Sequence, residues 1–450
     1  MILTFLKKEN NKRLILIFAG WSTGPDMYSG IDMPGWDTAV VWNYLDEGLD
    51  TGFFDEYCTV YLVAWSLGVA EADRVLPPDR ITAAFAINGT VSPVNARLGI
   101  PAEIYHGTAD NLSPLNLQKF RRRMMPDNER FKQFFPEHAT EEACDMLAQE
   151  LRAIAARNAD HSKPRLAWTR AYIGSEDRIF PPANMNRAWQ IDPEVVIVNT
   201  SDAHYIDLQA IVAGVIPDLD KVSRRFGRAW DTYESQAIPQ LMAALHLDRL
   251  ICDNVKGEIA DMLEIGPGTG LLTRQYARHL NPRSIDFVDI TETGPFDIAS
   301  ECRYHVMDAE LWIRQCERRY NLILSASAIQ WFSDLRGFFH ECARVLRPGG
   351  WLAISTFAPG NLEELDALRP SPLIYPSAAN LGQWLGQDFE IICLEQNEIR
   401  MEFESRRQLL LHLKHTGVGG SASSSTGGSS VIPLTALTYR PLYIVARRKF

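Results

Sequence analysis

At 450 residues the chain has room for two domains of ordinary size, and its 46% hydrophobic and 22% charged residues are the values of a folded globular protein. With 56 acidic against 45 basic side chains the net charge is −11, which argues against nucleic acid as a partner. The seven cysteines form no Cys-x-x-Cys pair, no apolar stretch is long enough to span a membrane, and MILTFLKKENNKR lacks the layout of a signal peptide, so a cytoplasmic protein with free thiols is expected.

The first predicted element is Arg13–Trp21, RLILIFAGW, a buried strand ending in a glycine turn. WDTAVVWNY is a second strand. Thr59–Trp65, TVYLVAW, is a third and stops at Ser66-Leu67-Gly68; Ile81–Gly89, ITAAFAING, is a fourth. From Leu115 to about Arg157 the pattern turns charged and helical, clearest in FRRRMM and EEACDMLAQELRAIAARN. Strand patterns return at Arg165–Asp177 and Val195–His204. Strands, a helical insertion over about 111–162, then more strands predict a parallel α/β sheet carrying a lid. Ile216–Ser223, IPDLDKVS, reads as a polar junction and divides the chain into domains 1–217 and 218–450. Gly417–Ser430 has the composition of a linker, but too little chain follows it for a domain, so a loop between late elements of the second domain is expected.

Ala64-Trp65-Ser66-Leu67-Gly68 has the shape of a nucleophile elbow, with alanine in place of the first glycine. A turn from strand to helix this sharp needs small neighbours, exposes the serine hydroxyl and aims the Leu67 N–H at a developing oxyanion. The plain alternative is a serine capping an ordinary helix. Context favours the elbow. Gly20-Trp21 follows an early strand and supplies a second oxyanion donor, and Asp177 and His204 follow later strands in the order serine, acid, histidine. Ser66 would attack a carbonyl, His204 would take its proton, and Asp177 would orient the imidazole. Asp110, in HGTADNLSP, is a rival acid, though it precedes the helical insertion. His412 and His415 suggest a metal pair, but without a third ligand a solvated helix face is the better reading, and no metal is expected.

LEIGPGTG, Leu263–Gly270, is an apolar lead-in, an acid and three glycines ahead of a helix-like segment, the start of a nucleotide-binding α/β domain. The acid Glu264 before Gly266, Gly268 and Gly270 favours S-adenosylmethionine over a dinucleotide. Asp289, at the end of the next strand, suits ribose hydroxyls, and Asp308 suits the adenine amine. Phe226 and Tyr233, on the amphipathic segment that opens the domain, are placed to close over the cofactor or to pack a helix. Gln330 and Trp331 follow the fourth strand, where the acceptor pocket is expected. Methyl transfer to a carboxylate needs alignment and exclusion of water more than it needs a base.

RRFGRAWDTYESQAIPQ, LEIGPGTGLLT, LILSASAIQWFSDL, RVLRPGGWLAISTFAPGNLEEL and TYRPLYIVARR resemble the malonyl-carrier-protein O-methyltransferases of biotin synthesis, the BioC family, across most of Arg224–Lys449. FAGW, LVAWSLG, AINGT, LQKFRRRMM and SDAHYID resemble the BioG-type pimeloyl-carrier-protein methyl ester esterases over roughly Met1–Gly214. The resemblance implies an α/β-hydrolase domain with a helical lid fused to a class I, Rossmann-like methyltransferase. It implies two activities, capping malonyl-carrier protein with a methyl group and removing that group at pimeloyl length, with an acidic acyl carrier protein as partner. Because this chain is also acidic, docking would use local basic patches: Arg121, Arg122 and Arg123 in the lid, with Arg224, Arg225 and Arg228 as weaker candidates. Two alternatives stay open: a free small acid as methyl acceptor, and a first half that only docks the carrier.

Overall fold

Ile2–Lys7 (β1) is an edge strand that hydrophobic patterning did not mark, being partly exposed along its length. It belongs to the computed structural model of the chain, which describes residues 1–159, 163–368, 373–416 and 435–450. The tract at 417–430 and positions 160–162 of the expected lid lie outside the described residues. The chain divides into two compact units, Met1–Val212 and Ala213–Phe450.

In the first unit Arg13–Phe18 (β2), Asp37–Trp42 (β3), Thr59–Trp65 (β4), Ala83–Ile87 (β5), Arg170–Gly174 (β6) and Val196–Thr200 (β7) join β1 in one sheet, ordered β1-β3-β2-β4-β5-β6-β7. Every pairing is parallel except that of β1 with β3. β2 and β4 are buried throughout, so they read as continuous apolar runs rather than alternating ones. Each fully buried aliphatic side chain there contributes roughly 1.5–3 kcal/mol. Gly68–Val75 (α1) follows β4. Between β5 and β6 come Ala102–Asp110 (α2), Pro114–Met124 (α3), Asn128–Phe134 (α4) and Glu141–Arg157 (α5). The last three are started by Ser113, Asp127 and Thr140, whose side chains accept a backbone N–H from the first turn. The helical excursion therefore opens at Ala102, earlier than 111, because Ala102–Asp110 is itself a helix. Pro182–Trp189 (α6) and Leu208–Val215 (α7) complete the unit, α7 running across the division.

The second unit opens with Leu219–Gln236 (α8) and Ile238–Asn254 (α9). IPDLDKVS is thus only in part a junction. Asp218 caps α8 by accepting the Lys221 N–H, and Val222 and Ala229 are buried on its apolar face. Asp261–Ile265 (β8), Ser284–Asp289 (β9), Glu301–Val306 (β10), Tyr320–Ala326 (β11), Leu346–Phe357 (β12), Phe389–Gln396 (β13) and, beyond Ile399–Glu402 (β14) and Ala436–Tyr439 (β15), which pair antiparallel as a small separate sheet, Pro441–Arg448 (β16) build the structure. The main sheet runs β10-β9-β8-β11-β12-β16-β13, with β16 antiparallel to both neighbours. Apolar clusters cover both faces. The strand order reverses between β8 and β11, so a crevice opens at their carboxyl ends, the Rossmann-like arrangement for a ligand. Thr273–Tyr276 (α10), Ala309–Gln315 (α11), Leu335–Val345 (α12), Ala378–Leu385 (α13) and Arg406–Thr416 (α14) flank the strands. On α14, His412 is buried and 2.9 Å from Tyr439 Oη, which overturns the reading of a solvated face; an alternating polar sequence concealed one buried hydrogen bond.

Candidate active sites

β4 enters α1 through Ser66, whose φ of 59° lies in the left-handed region. The turn is tight enough that a Cβ at Gly68 would sit 2.5 Å from the Phe18 carbonyl oxygen, and one at Gly89 2.2 Å from that of Ser66. Ser66 Oγ lies 2.9 Å from His204 Nε2, and His204 Nδ1 lies 2.7 Å from Asp177 Oδ2, with all three residues buried. A carboxylate only accepts, so Nδ1 carries the proton and Nε2 is left to accept from the serine hydroxyl. The set can draw a proton from Ser66 as its oxygen attacks a carbonyl and return it to the leaving group. Asp177 is itself fixed by N–H groups of Ile179 and Phe180, at 2.7 and 3.0 Å, and the Phe180 ring lies parallel to the imidazole. Asp110 is engaged elsewhere, ending α2 in an exposed ion pair with Arg152 at 3.0 Å.

Trp21 and Leu67 share with Ser66 a pocket of about 480 Å³ walled mainly by Ile100, Ile104, Phe120, Leu151 and Ile179. Among the described residues, neither the Trp21 nor the Leu67 backbone N–H donates to a backbone carbonyl. Both are therefore free to meet an oxygen of a ligand held against Ser66.

In the second unit β8 leads into Gly266, Gly268 and Gly270, all at positive φ. A Cβ on Gly268 would meet nothing within 4 Å, so that face of the turn looks into open space. Asp289 Oδ2 accepts the Gly268 N–H at 3.0 Å, while Oδ1 accepts from the N–H and hydroxyl of Thr291, both at 2.9 Å. Glu264 accepts from Thr273 Oγ1 at 2.8 Å and Tyr276 Oη at 2.6 Å, tying the end of β8 to α10. Burial pushes the Glu264 carboxyl up to about 7 and that of Asp289 upward as well. Asp308 caps α11 through the Glu310 N–H at 2.9 Å.

Glu264, Gly266, Gly268, Asp289 and Asp308 line a pocket of about 1050 Å³, measured to its open mouth, over which Phe226, Tyr233 and Trp331 also lie. Gly270 is not part of this lining and packs against Phe296, whose ring would be 2.5 Å from a Cβ there. Phe226 stands edge-on to both other rings, with centroids 5.8 and 6.3 Å away. Thr269 Oγ1, Ser327 Oγ and Trp331 Nε1 are buried along this lining without a hydrogen bond. Each would cost about 1–3 kcal/mol unless a ligand supplies a partner. The lining holds three carboxylates and, among the described residues, no Lys, Arg or His. Such a pocket suits a polar ligand with an aromatic part and a positive charge.

The model of the family described as pimeloyl-ACP methyl esterase BioG matches residues 2–210, and a methyltransferase domain model matches residues 263–354. A malonyl-acyl-carrier-protein O-methyltransferase of Bacteroides fragilis is 30% identical over 97% of this chain and 93% of its own length. The chain belongs to that methyltransferase family. The chain is also 36% identical to an uncharacterized Haemophilus influenzae protein, over 43% of this chain and 89% of that one. A crystal structure of BioG from the same organism aligns at 33% identity and a TM-score of 0.42, covering 46% of this chain and 94% of that chain.

Within this family member, the arginines expected to form one docking patch do not gather. Consecutive helical residues point about 100° apart, and each goes its own way. Arg121 turns inward to the Ser22 carbonyl oxygen, Arg122 lies over the Phe131 ring and donates to Asn128, and only Arg123 reaches the mouth of the Ser66 pocket. Gln330 does not line this cavity as Trp331 does; its amide donates to the Ser327 carbonyl at 2.5 Å. Patterning also missed Asn88, whose side chain donates to the carbonyls of Ala203 and His204 and accepts the Gly174 N–H, holding the loop that carries the imidazole. Its place in AINGT, right after a buried strand, was the available signal. Asp248, Cys252 and His279 form a group with metal-ligand spacing at the surface, a cluster that sequence distance concealed.

Proposed function

We propose that the chain is a bifunctional enzyme of biotin synthesis. The second domain, over 218–450, methylates the free carboxylate of malonyl-acyl carrier protein. The first, an α/β-hydrolase domain over 1–217 with a lid about 111–162, hydrolyses the methyl ester of pimeloyl-acyl carrier protein. The observation that carries this reading is the hydrogen-bonded series Ser66–His204–Asp177 in a chain whose full length aligns with a malonyl-acyl-carrier-protein methyltransferase.

In the hydrolase, Ser66 is the nucleophile, His204 the base and then the acid, and Asp177 the group that orients it. The N–H groups of Trp21 and Leu67 stabilise the tetrahedral oxyanion. The apolar wall of the pocket accommodates the acyl chain.

In the methyltransferase, S-adenosylmethionine supplies the methyl electrophile when bound. Gly266 and Gly268 let it approach the backbone, Gly270 lets the turn pack against Phe296, Asp289 and Asp308 face its hydroxyl and amine groups, Glu264 holds the turn, and Tyr233 closes over it. Buried carboxylates are matched to a cationic sulfonium, and Trp331 lines the acceptor side. The acceptor carboxylate arrives already ionised, so alignment and exclusion of water accomplish the chemistry. Capping has a physical purpose: a free carboxylate is costly to bury in the apolar pockets of chain-extending enzymes, and an ester is far cheaper. Among the described residues no helix is long and apolar enough to cross a membrane, and the seven cysteines are unpaired thiols, in keeping with the proposed cytoplasmic site.

Mass spectrometry tests both halves. Malonyl-carrier protein incubated with enzyme and S-adenosylmethionine should gain one methyl group, and the methyl ester of pimeloyl-carrier protein should lose one without cofactor. Transfer to free malonate in preference to the carrier-bound group would replace the proposed acceptor.

A further inference from the structure

The turn that presents Trp21 to the Ser66 pocket is fastened largely by the helical excursion. Gly20 to Thr23 closes through the Thr23 N–H and hydroxyl, which donate to the Gly20 carbonyl at 3.3 and 2.6 Å. Within it Ser22 sits at φ 66°, a backbone conformation that favours glycine. Such a conformation persists only where the surroundings over-determine it. Outside the helical excursion one restraint holds the turn: Tyr28, at the end of the short helical turn Pro25–Tyr28, whose Oη accepts the Gly20 N–H at 3.0 Å and lies 2.8 Å from Thr23 Oγ1.

Three others come from α3 and α5. Arg121 donates to the Ser22 carbonyl at 3.0 Å, and its guanidinium lies 4.4 Å from the centre of the Phe135 ring. Phe120 meets the Trp21 ring edge-on at 4.9 Å. The Trp21 indole N–H donates to the Leu147 carbonyl at 3.1 Å. Arg121 is thus drawn into the protein on the residue next to the proposed oxyanion donor, and burial pushes its pKa down.

Resting on the hydrolase reading, we propose that Arg121 is a positioning residue for ester hydrolysis. By holding the Ser22 carbonyl it keeps the strained turn in the one shape that aims the Trp21 N–H at the oxyanion, so the power of Ser66 depends on the seating of α3 and α5. This role differs from carrier docking, since it acts on every ester whatever its acyl partner.

The test uses the full chain and p-nitrophenyl butyrate, a small ester with no carrier, and three variants: Arg121→Met, Ser22→Gly and the double variant. Arg121→Met should lower kcat at least tenfold with KM within twofold, because the turn relaxes while the acyl pocket is unchanged. Glycine adopts the left-handed conformation without strain, so Ser22→Gly in the Arg121→Met background should return kcat to within about threefold of the parent. A docking arginine would spare this substrate, and a merely structural one would not be rescued by a glycine in the turn. Unchanged kcat in Arg121→Met, or a loss that Ser22→Gly fails to recover, overturns the proposal, and thermal melting of each variant guards against reading global unfolding as loss of positioning. A parent protein inert toward all esters would instead fell the hydrolase reading, and this inference with it.

Discussion

The two halves present opposite kinds of site. In the first, side chains already touch: hydroxyl, imidazole and carboxylate stand in hydrogen-bonded series beside a small apolar pocket. In the second, a backbone turn, one buried acid and two half-buried ones border a large cavity in which two hydroxyls and an indole N–H have no partner. The difference follows from the reactions proposed. Moving protons through a weak nucleophile requires the enzyme to assemble its own donors and acceptors beforehand. Moving an alkyl group between two ligands requires a shaped space, and the ligands bring the reactive atoms.

The comparison can be broken most sharply at Ser66. Ser66→Ala should lower ester hydrolysis on the order of a millionfold, since nothing else in the turn is a comparable nucleophile, and should leave methyl transfer unchanged. Residual turnover near the parent rate would remove Ser66 from the chemistry. Asp177→Asn should cost about ten-thousandfold by letting the imidazole adopt the wrong tautomer; rates measured against pH would reveal a mere shift in optimum if that account is wrong. On the other side, Gly268→Asp places a side chain and a negative charge in the open face of the turn. Calorimetry should then show affinity for S-adenosylhomocysteine down at least a hundredfold, with hydrolysis intact.

The smallest effect is one of pH. Glu264 binds its proton more tightly folded, at about 7, than at its ordinary 4.5. Its contribution to stability is therefore complete below pH 4.5 and is lost as pH rises through 7. At about 1.4 kcal/mol per pKa unit the loss is on the order of 3 kcal/mol. The second unit should melt at lower temperature at pH 8 than at pH 5, and Glu264→Gln should flatten that slope. An equal slope in the variant would assign the dependence to another group.

Much of this was legible because both motifs are bound to strand ends. TVYLVAW ahead of Ser66, and the Leu263–Ile265 run ahead of Gly266, are buried enough to declare themselves, and the turns after them follow. What stayed hidden depends on distances the sequence does not carry. FRRRMM looks like one basic patch in line, yet winding it into α3 sends Arg121 inward and Arg123 outward. Gln330 and Trp331 are neighbours in sequence, but a short helical turn directs only the tryptophan into the cavity. β1 escaped notice because an edge strand buries too little to impose a pattern.

The left-handed φ of Ser66 has a consequence for how this protein could drift. Ser66→Ala and Ser66→Gly discard the same hydroxyl, but only glycine sheds the conformational load, worth about 1–2 kcal/mol. The glycine variant should therefore melt a few degrees above the alanine one, near 2–4 °C per kcal/mol for a unit of this size. Folding alone would thus push this position toward glycine. Selection for turnover, opposing that push in every generation, is what would keep a serine there.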